Sequence, residues 1–254
     1  MTNSGGALPL AACLLLLGGC QRQGSPEAGG PADAPPPTIT TVASPQPPLA
    51  IAGVWQPETS DDRLPIVGER PALTPAGRRL ADARRVAGQR GDRSWDGTLR
   101  CLPPGTPRVL LMGQPLDINS DAHVIAMTFQ YQRLVRMIYM DDAYPVAASA
   151  TYMGESHGRW EGDVLVVETR NFKPGLALDG SGLPLGAGLS LVERFERTDD
   201  DTLVDHITIT DAEMYQRPWE AQVTLKRRPD MPVKEDICAD RDGATAGSMS
   251  SASP

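Results

Sequence analysis

The sequence lacks the motifs and the charge balance typical of nucleotide-dependent enzymes and nucleic-acid-binding proteins. It has no GxxxxGK[ST] loop and no GxGxxG motif after a predicted strand. It has 3 His residues, and none shows the HxH or HExxH spacing of a metal site. The 24 basic residues are outnumbered by 32 acidic ones, which argues against a surface that neutralises phosphates. We therefore expect no cofactor, no bound metal and no nucleic-acid partner.

The first nineteen residues contain no charged side chain, not even the Lys or Arg that usually begins an export signal. Residues 8–17 form an apolar run that is too short to span a bilayer. The run leads into LGGC, and small residues before a Cys suit the peptidase that cleaves lipoprotein signals. We predict cleavage before Cys20 and a lipid on that Cys. Ordinary secretion with an incidental Cys is the alternative.

The predicted lipid makes the membrane of the cell envelope the first expected partner. Gln21 follows the Cys where an Asp would favour retention at the inner membrane, so its resemblance to lipoprotein sorting signals favours the outer membrane. We expect the mature protein at the periplasmic face of the outer membrane. The sequence leaves its oligomeric state open.

Composition divides the chain into four parts. Residues 1–19 are the predicted signal, and residues 20–49 are rich in Pro, Ala and Gly, which predicts a disordered tether. Residues 241–254 are predicted to be a disordered tail for the same reason. Residues 50–240 remain, and they have the size of one domain with a sizeable core.

The chain has 4 Cys, two of which remain within the predicted domain. Cys101 and Cys238 would then stand alone in an oxidising compartment, where two lone cysteines most simply pair. We predict a disulfide between them. Two buried free thiols are the alternative, and a metal site is not expected because neither Cys has a near ligand partner.

A helix is predicted over residues 74–90, ahead of the main run of strands. Thr74 is a suitable N-cap, and Pro75 fits the first turn. The predicted apolar face contains Leu80, Ala83 and Ala87. The opposite face is predicted to be a solvated basic stripe, with a membrane-surface role as the alternative. Its members are Arg78, Arg79, Arg84 and Arg85.

The rest of the domain is predicted to be β-structure, because short alternating runs are separated by Gly, Pro, Asp and Asn. Close spacing without helical periodicity predicts antiparallel pairing. A long meander usually closes, so we predict a mainly β fold with a single antiparallel barrel or a two-sheet sandwich, preceded by one helix. The predicted strands are 51–55, 109–112, 116–119, 123–130, 134–140, 158–161, 164–170, 190–197, 203–210, 221–227 and 233–238.

Alternation along these strands predicts that three titratable residues face inward. His123, Glu193 and Asp205 each share a strand face with apolar residues; Glu193, for example, lies between Leu191 and Phe195. A buried charge must be paired or must shift its pKa, which makes such residues candidates for a site. The alternative is a position at a strand end or an ordinary ion pair with a neighbouring Arg.

Five motifs resemble a family of exported bacterial proteins that share CLPPG-PR, RRIYMDGR, GRWEGDTLVV, ERF and RPW motifs. The motifs lie in residues 101–108, 136–141, 152–169, 192–195 and 215–219. The resemblance implies a lipocalin-like β-barrel, which Gly53-Val54-Trp55 near the first strand also favours. Members of the family carry MGHS where this chain has Glu155 in place of the His, and the His residues they carry before ERF are absent. If those residues are catalytic in the family, this chain has lost that chemistry or rebuilt it around Glu155 and His157.

The leading functional hypothesis is that the barrel binds a small apolar or aromatic molecule. Aromatic side chains with a polar tip suit the mouth of a cavity, and an Arg can clamp a ligand carboxylate. Ordinary core packing and an internal Glu–Arg pair are the alternatives. Six residues from the motifs are predicted to converge on one ligand-binding cavity, namely Arg108, Tyr152, Glu155, Trp160, Glu193 and Trp219.

Two other classes of function stay open. An envelope lyase, isomerase or hydrolase acting on a small hydrophobic compound would need an acid or base, and the candidates are Glu193, Glu155, His157 and Tyr152. A serine hydrolase is not favoured, because the GxSxG motif is missing. Ser156 and His157 are also adjacent, and adjacent residues on a strand point to opposite faces. A structural scaffold of the envelope is the third class.

Overall fold

The computed structural model describes residues 51–140, 149–238 and 240. The predicted signal, Cys20, the tether and the tail lie outside the described residues. Within the described ranges, no helix is both long enough and apolar enough to cross a membrane.

The described residues form ten strands and one α-helix, α1 (Pro75–Gln89), joined by loops and short 3₁₀ turns. The strands are β1 (Gly53–Pro57), β2 (Ile66–Val67), β3 (Leu116–Ser120), β4 (Val124–Phe129), β5 (Val135–Tyr139), β6 (Glu155–Glu161), β7 (Val164–Arg170), β8 (Ser190–Asp199), β9 (Thr202–Thr210) and β10 (Trp219–Arg227).

Nine of these strands close into a barrel. The strands from β3 to β10 pair in chain order, and β1 closes the ring by pairing with both β3 and β10. Trp55 of β1 lies opposite Leu116 on one side and opposite Arg227 on the other. The short β2 pairs with the start of β10, farther along the edge that β1 uses. The prediction of a mainly β barrel preceded by one helix is confirmed, and the sandwich alternative is not.

One pair of neighbouring strands differs from the predicted antiparallel meander. β5 and β6 are parallel, with Ile138 opposite Ser156 and Tyr139 opposite His157. Parallel neighbours need a crossover connection rather than a tight turn. Turn signals identify tight reversals but not crossovers, so the sequence patterns did not predict this pairing.

Two predicted strands are not strands. The segment 109–112 belongs to a 3₁₀ turn, Arg108–Met112, in which Val109, Leu110 and Leu111 are all buried. Burial of consecutive residues does not fit the alternation of a strand with one buried face. The segment 233–238 has no strand partner and is tied down by side chains instead, as when Gln132 N donates to Asp236 Oδ2 at 2.6 Å.

The helix forms where it is predicted, and Leu80 of the predicted face packs against the core, but the most buried positions lie to one side of that face. The Thr74 hydroxyl accepts from Gly77 N at 3.1 Å and caps the first turn. Gly77 and Arg84 are the buried residues of α1, whereas Ala83 is exposed. A Cβ at Gly77 would lie 2.2 Å from Met214 O, so the helix backbone packs directly on the chain between β9 and β10. This close contact rotates Arg84 inward and removes it from the predicted basic stripe.

The two ends of the barrel differ in the length of their connections. At one end the β3–β4, β6–β7 and β8–β9 turns are only two or three residues long, and Gly162, with a φ of 60°, occupies the left-handed region within one of them. At the other end three long connections meet, comprising residues 58–115, 171–189 and 211–218. We call these three connections the cap. Backbone hydrogen bonds join them, including Gly180 N to Asp62 O at 2.7 Å and Thr74 N to Met214 O at 3.0 Å.

The barrel interior is an apolar core. Trp55, Phe129 and Phe195 are at most 2% exposed and belong to one cluster that includes residues of β1 and of β3 to β10. The 3₁₀ turn Arg108–Met112 contributes Leu110 and Leu111 to the same cluster. The cap and the barrel therefore share one hydrophobic core, and the cap packs closely on the barrel.

The predicted disulfide is present. Cys101 and Cys238 are bonded across a sequence separation of 137, with their Cα atoms 5.6 Å apart. The bond ties the cap to the segment that follows the last strand. Closing a loop of this length stabilises the fold by at most about 5 kcal/mol in the chain-entropy treatment.

Candidate functional site

Alternation along β8 and β9 correctly predicts that Glu193 and Asp205 face inward, since both are 0% exposed. The prediction is wrong for His123, which is exposed in the turn before β4. Its backbone N donates to Asp121 Oδ1 at 2.7 Å, so the local turn rather than the strand sets its position.

Glu193 is held by an arginine from across the barrel. Arg136 of β5 is 2% exposed, and its Nη1 donates to Glu193 Oε1 at 2.8 Å while its Nη2 donates to the other carboxyl oxygen. Arg136 also donates to Ser156 Oγ at 3.0 Å and to Thr169 Oγ1 at 2.8 Å. Four neighbouring strands thus supply a connected network of charge-assisted hydrogen bonds.

Asp205 completes this interior polar cluster, which we define as Arg136, Ser156, Thr169, Glu193 and Asp205. Neither carboxyl oxygen of Asp205 has a hydrogen-bond partner in the described part of the chain. Burial, and then the neighbouring Glu193 carboxylate, raise the pKa of Asp205 well above its ordinary value, although Arg136 opposes them. The raised pKa favours the neutral form of Asp205 beside the Arg136–Glu193 ion pair.

The interior polar cluster is an ion pair inside an apolar core, not an open ligand site. Arg136 and Glu193 neutralise each other, which is the condition for keeping either charge away from water. The sequence prediction missed Arg136, because both faces of its strand carry apolar residues, such as Val135 and Ile138, and alternation there is ambiguous.

A second buried arginine, Arg108, organises the cap. Its Nε donates to Asp62 Oδ1 and its Nη1 to Asp96 Oδ1, each at 2.9 Å, and its Nη2 donates to both residues. Burial would raise the pKa of Asp96, but hydrogen bonds from Arg108 and Thr98 outweigh it and lower that pKa to about 2. The predicted role of Arg108 as a ligand clamp is corrected, because two carboxylates already occupy its guanidinium.

Next to Arg108 the cap contains a cavity of about 230 Å³, which we call the cap cavity. Its wall combines Trp95, Leu102, Tyr152 and Leu176 with prolines of the neighbouring loops. Trp95 Nε1 is buried and has no hydrogen-bond partner among the described residues. A buried donor without a partner costs free energy, and this nitrogen has almost no accessible surface.

The CLPPG motif shapes one side of this cavity. Gly105 has a φ of 80°, and a Cβ there would lie 2.6 Å from Tyr152 O and 3.0 Å from Leu176 Cδ1. Only glycine allows such close approach in that conformation. The motif therefore brings the loop before Arg108 against the two chain segments that form the opposite wall.

The six predicted ligand-binding residues are distributed over several places. Arg108 and Tyr152 both line the cap cavity, whereas Trp219 lines a separate cavity of about 340 Å³ and Glu193 lies in the interior polar cluster. Trp160 is partly buried against the core. Strand alternation shows which side chains point inward, but it does not show at which level of the barrel they lie.

Glu155, the sixth residue, pairs with His157 on β6. Its Oε1 lies 3.3 Å from His157 Nε2, and the His157 ring centroid lies 6.0 Å from that of Tyr139. Neither Glu155 nor His157 lines the cap cavity, so the catalytic candidates Glu193, Glu155, His157 and Tyr152 do not form one constellation there. Within the described ranges, no group of three His, Cys, Asp or Glu residues is placed to hold a metal ion.

Besides Arg136, the sequence patterns missed Asp62, Asp96 and Trp95. All three lie in the long connection before β3, where there is no periodicity to interpret. For Asp96 the sequence does contain a local capping signal. Asp96 precedes a 3₁₀ turn, and its Oδ1 accepts from Thr98 N at 3.1 Å, as a capping residue does.

No family model matches the chain, and no curated protein matches it. Among solved structures, the chain is similar to a "REP1-NXSQ fatty acid transporter", at 10% identity and a TM-score of 0.34, over 71% of this chain and 97% of that chain.

We predict that Glu193→Gln destabilises the protein by about 3–5 kcal/mol, because it leaves the Arg136 charge buried without its partner. Urea denaturation at neutral pH measures this free energy of unfolding. Glu196→Gln, on the exposed face of the same strand, is the matched control and should change stability by less than about 0.5 kcal/mol. A Glu193→Gln protein as stable as the wild type would contradict a structural role for the pair.

We predict that Asp205→Asn alters how stability depends on pH. Because the folded-state pKa of Asp205 is raised, the stability this group contributes is fully present below its unfolded pKa and is lost as pH rises toward the folded value. Relative to the variant, the wild type should lose about 1.4 kcal/mol per pH unit above about pH 4. Denaturation from acid to neutral pH tests this, with Asp201→Asn in the exposed β8–β9 turn as control. Parallel wild-type and Asp205→Asn profiles would contradict the prediction.

Proposed function

We propose that this protein is an exported lipoprotein whose barrel domain binds a small aromatic or apolar molecule in the cap cavity. The observation that carries the proposal is the cavity wall, where Trp95 and Tyr152 lie among prolines and leucines. Mostly apolar walls with a few placed polar groups are typical of small-molecule sites.

The cap cavity supports the proposal better than the barrel interior does. Inward side chains such as Phe129 and Phe195 pack into the core, and Arg136 and Glu193 satisfy each other there. A guest in the interior would have to displace packed side chains or break a buried ion pair, and both are costly. In the cap, by contrast, the space already exists.

The size of the cavity limits the ligand. A volume of about 230 Å³ lies below the range of about 300–1,000 Å³ that holds drug-sized ligands. A molecule built around a single ring fits this space, whereas a long acyl chain does not. Proline-rich loops and the Cys101–Cys238 bond restrain the walls, which reduces the ordering cost of binding.

Export is supported by the disulfide and by the sequence of the first twenty residues. Disulfides persist in oxidising compartments such as the periplasm and are rare in the cytosol. The LGGC sequence supplies the Cys that a lipid would modify. We place the anchored protein at the periplasmic face of the outer membrane, with residues 20–49 as the tether to the barrel.

We predict that native mass spectrometry of the protein purified from its own envelope detects a bound small molecule that Leu102→Trp abolishes. Leu102 lines the cap cavity, and an indole in its place fills part of the volume. Leu99→Trp is the matched control, because Leu99 is 55% exposed and does not line the cavity. Absence of any adduct from the wild type would favour a scaffold, and an adduct retained in Leu102→Trp would place the ligand elsewhere.

We predict that Cys20→Ser releases the protein from membrane fractions, because it removes the predicted site of lipid attachment. Cell fractionation followed by immunoblotting measures the distribution. Cys13→Ser, within the predicted signal, should leave the protein membrane-bound. Continued membrane association of the Cys20→Ser protein would show that the anchor is assigned wrongly.

A further inference from the structure

The charges around the cap cavity are unbalanced. Of the described residues that line it, two are arginines, Arg100 and Arg108, and none is Asp or Glu. Arg108 is neutralised by Asp62 and Asp96, whereas Arg100 donates to a backbone carbonyl, Ser94 O, at 2.5 Å and has no ion-pair partner in the described part of the chain. Arg100 therefore adds a positive charge to the wall of a largely apolar cavity.

Further cations lie against the two aromatic residues of the wall. The Arg84 and Arg93 guanidinium carbons are 5.3 and 5.6 Å from the Trp95 ring centroid, and Lys173 Nζ is 4.8 Å from the Tyr152 ring centroid. Arg93 is paired with Asp96, but Arg84 donates to the carbonyl oxygens of Gly182 and Leu176, which carry no net charge. Counting these cations with Arg100 and Arg108 gives five, against the two carboxylates of Asp62 and Asp96.

The same contacts argue against a cationic ligand. Aromatic cages bind ammonium groups through the faces of their rings. Here Arg84 and Lys173 already lie over the rings of Trp95 and Tyr152, and a ligand cation would meet Arg100 in the cavity wall. Like charges in a partly desolvated cavity repel strongly.

We infer that the ligand of the cap cavity is a small planar anion, most simply a single-ring aromatic carboxylate. This inference rests on the proposed function, because it requires the cap cavity to be the binding site. The ring packs against the apolar wall at Tyr152 and Leu176, and the carboxylate faces Arg100. Lys173, over the Tyr152 ring, adds a second positive charge nearby.

The test compares three probes of one shape and different charge: para-fluorobenzoate, para-fluorobenzamide and para-fluorobenzylamine. Fluorine NMR titration against the full-length protein measures each dissociation constant. The benzoate should bind at least about tenfold more tightly than the amide, a difference of about 1.4 kcal/mol, and the benzylamine should bind most weakly. Raising the salt concentration should weaken only the benzoate.

Substitutions test whether the preference for the benzoate arises at the cap cavity. Arg100→Gln and Lys173→Gln should each weaken benzoate binding roughly threefold or more and leave amide binding within about twofold, because each removes one partly exposed charge. Arg159→Gln, on an exposed part of β6 remote from the cap, is the charge-matched control and should change neither constant.

Each outcome decides between the two proposals. Binding of all three probes with similar affinity overturns the anion inference and leaves the apolar cavity of the proposed function in place. Failure of all three to bind overturns both. Benzoate selectivity that is insensitive to Arg100→Gln and Lys173→Gln places the anion site outside the cap cavity and also overturns the inference.

Discussion

The contact on which the cap depends is the bridge from Arg108 to Asp62 and Asp96. Strand pairing aligns the barrel. The 58 residues between β1 and β3 have no such sheet to align them apart from the two-residue β2. Arg108 is 3% exposed and joins the segment after β1 to the segment after α1 through four hydrogen bonds. Separating a buried guanidinium from its carboxylates costs free energy, because it leaves a buried charge without a partner. The two segments are therefore held in one arrangement.

That bridge extends into the rest of the cap. Asp62 also accepts through its backbone oxygen from Gly180 N, and Leu64 N donates to Asp179 Oδ2, so the connection between β7 and β8 is fixed to the same assembly. Asp96 fixes the turn that carries Trp95 toward the cavity. The cap cavity is therefore a consequence of an ionic contact, whereas the barrel beneath it is a consequence of strand pairing and apolar burial.

The fold contains two buried arginine–carboxylate sites, and they serve different ends. Arg136 and Glu193 lie within the barrel core, where they connect facing strands and neutralise each other. Arg108 lies at the boundary between core and cap, where it positions a cavity wall. Neither arginine is free for a ligand. Arg100 lines the cavity and Lys173 lies over the Tyr152 ring, and neither has an ion-pair partner among the described residues.

Sequence patterns predicted the features that depend on local chemistry. Thr74 and Pro75 defined the start of the helix, alternation identified Glu193 and Asp205 as inward-facing, and the bounds of β7 agree with its predicted limits. The features that sequence patterns missed depend on contacts between distant segments. Arg136 meets Glu193 across 57 positions of sequence and Arg108 meets Asp62 across 46, and no local periodicity encodes either partner.

The most direct test of this account is amide hydrogen exchange on an Arg108→Met variant, which keeps an unbranched apolar stem and removes the guanidinium. If Arg108 holds the cap together, residues 93–104 and 174–177 should exchange much faster than in the wild type, while the ladders of β7, β8 and β9 keep their protection. Unchanged exchange in those cap segments, or equal loss of protection in cap and barrel, would contradict the claim that this one ionic bridge sets the walls of the cavity.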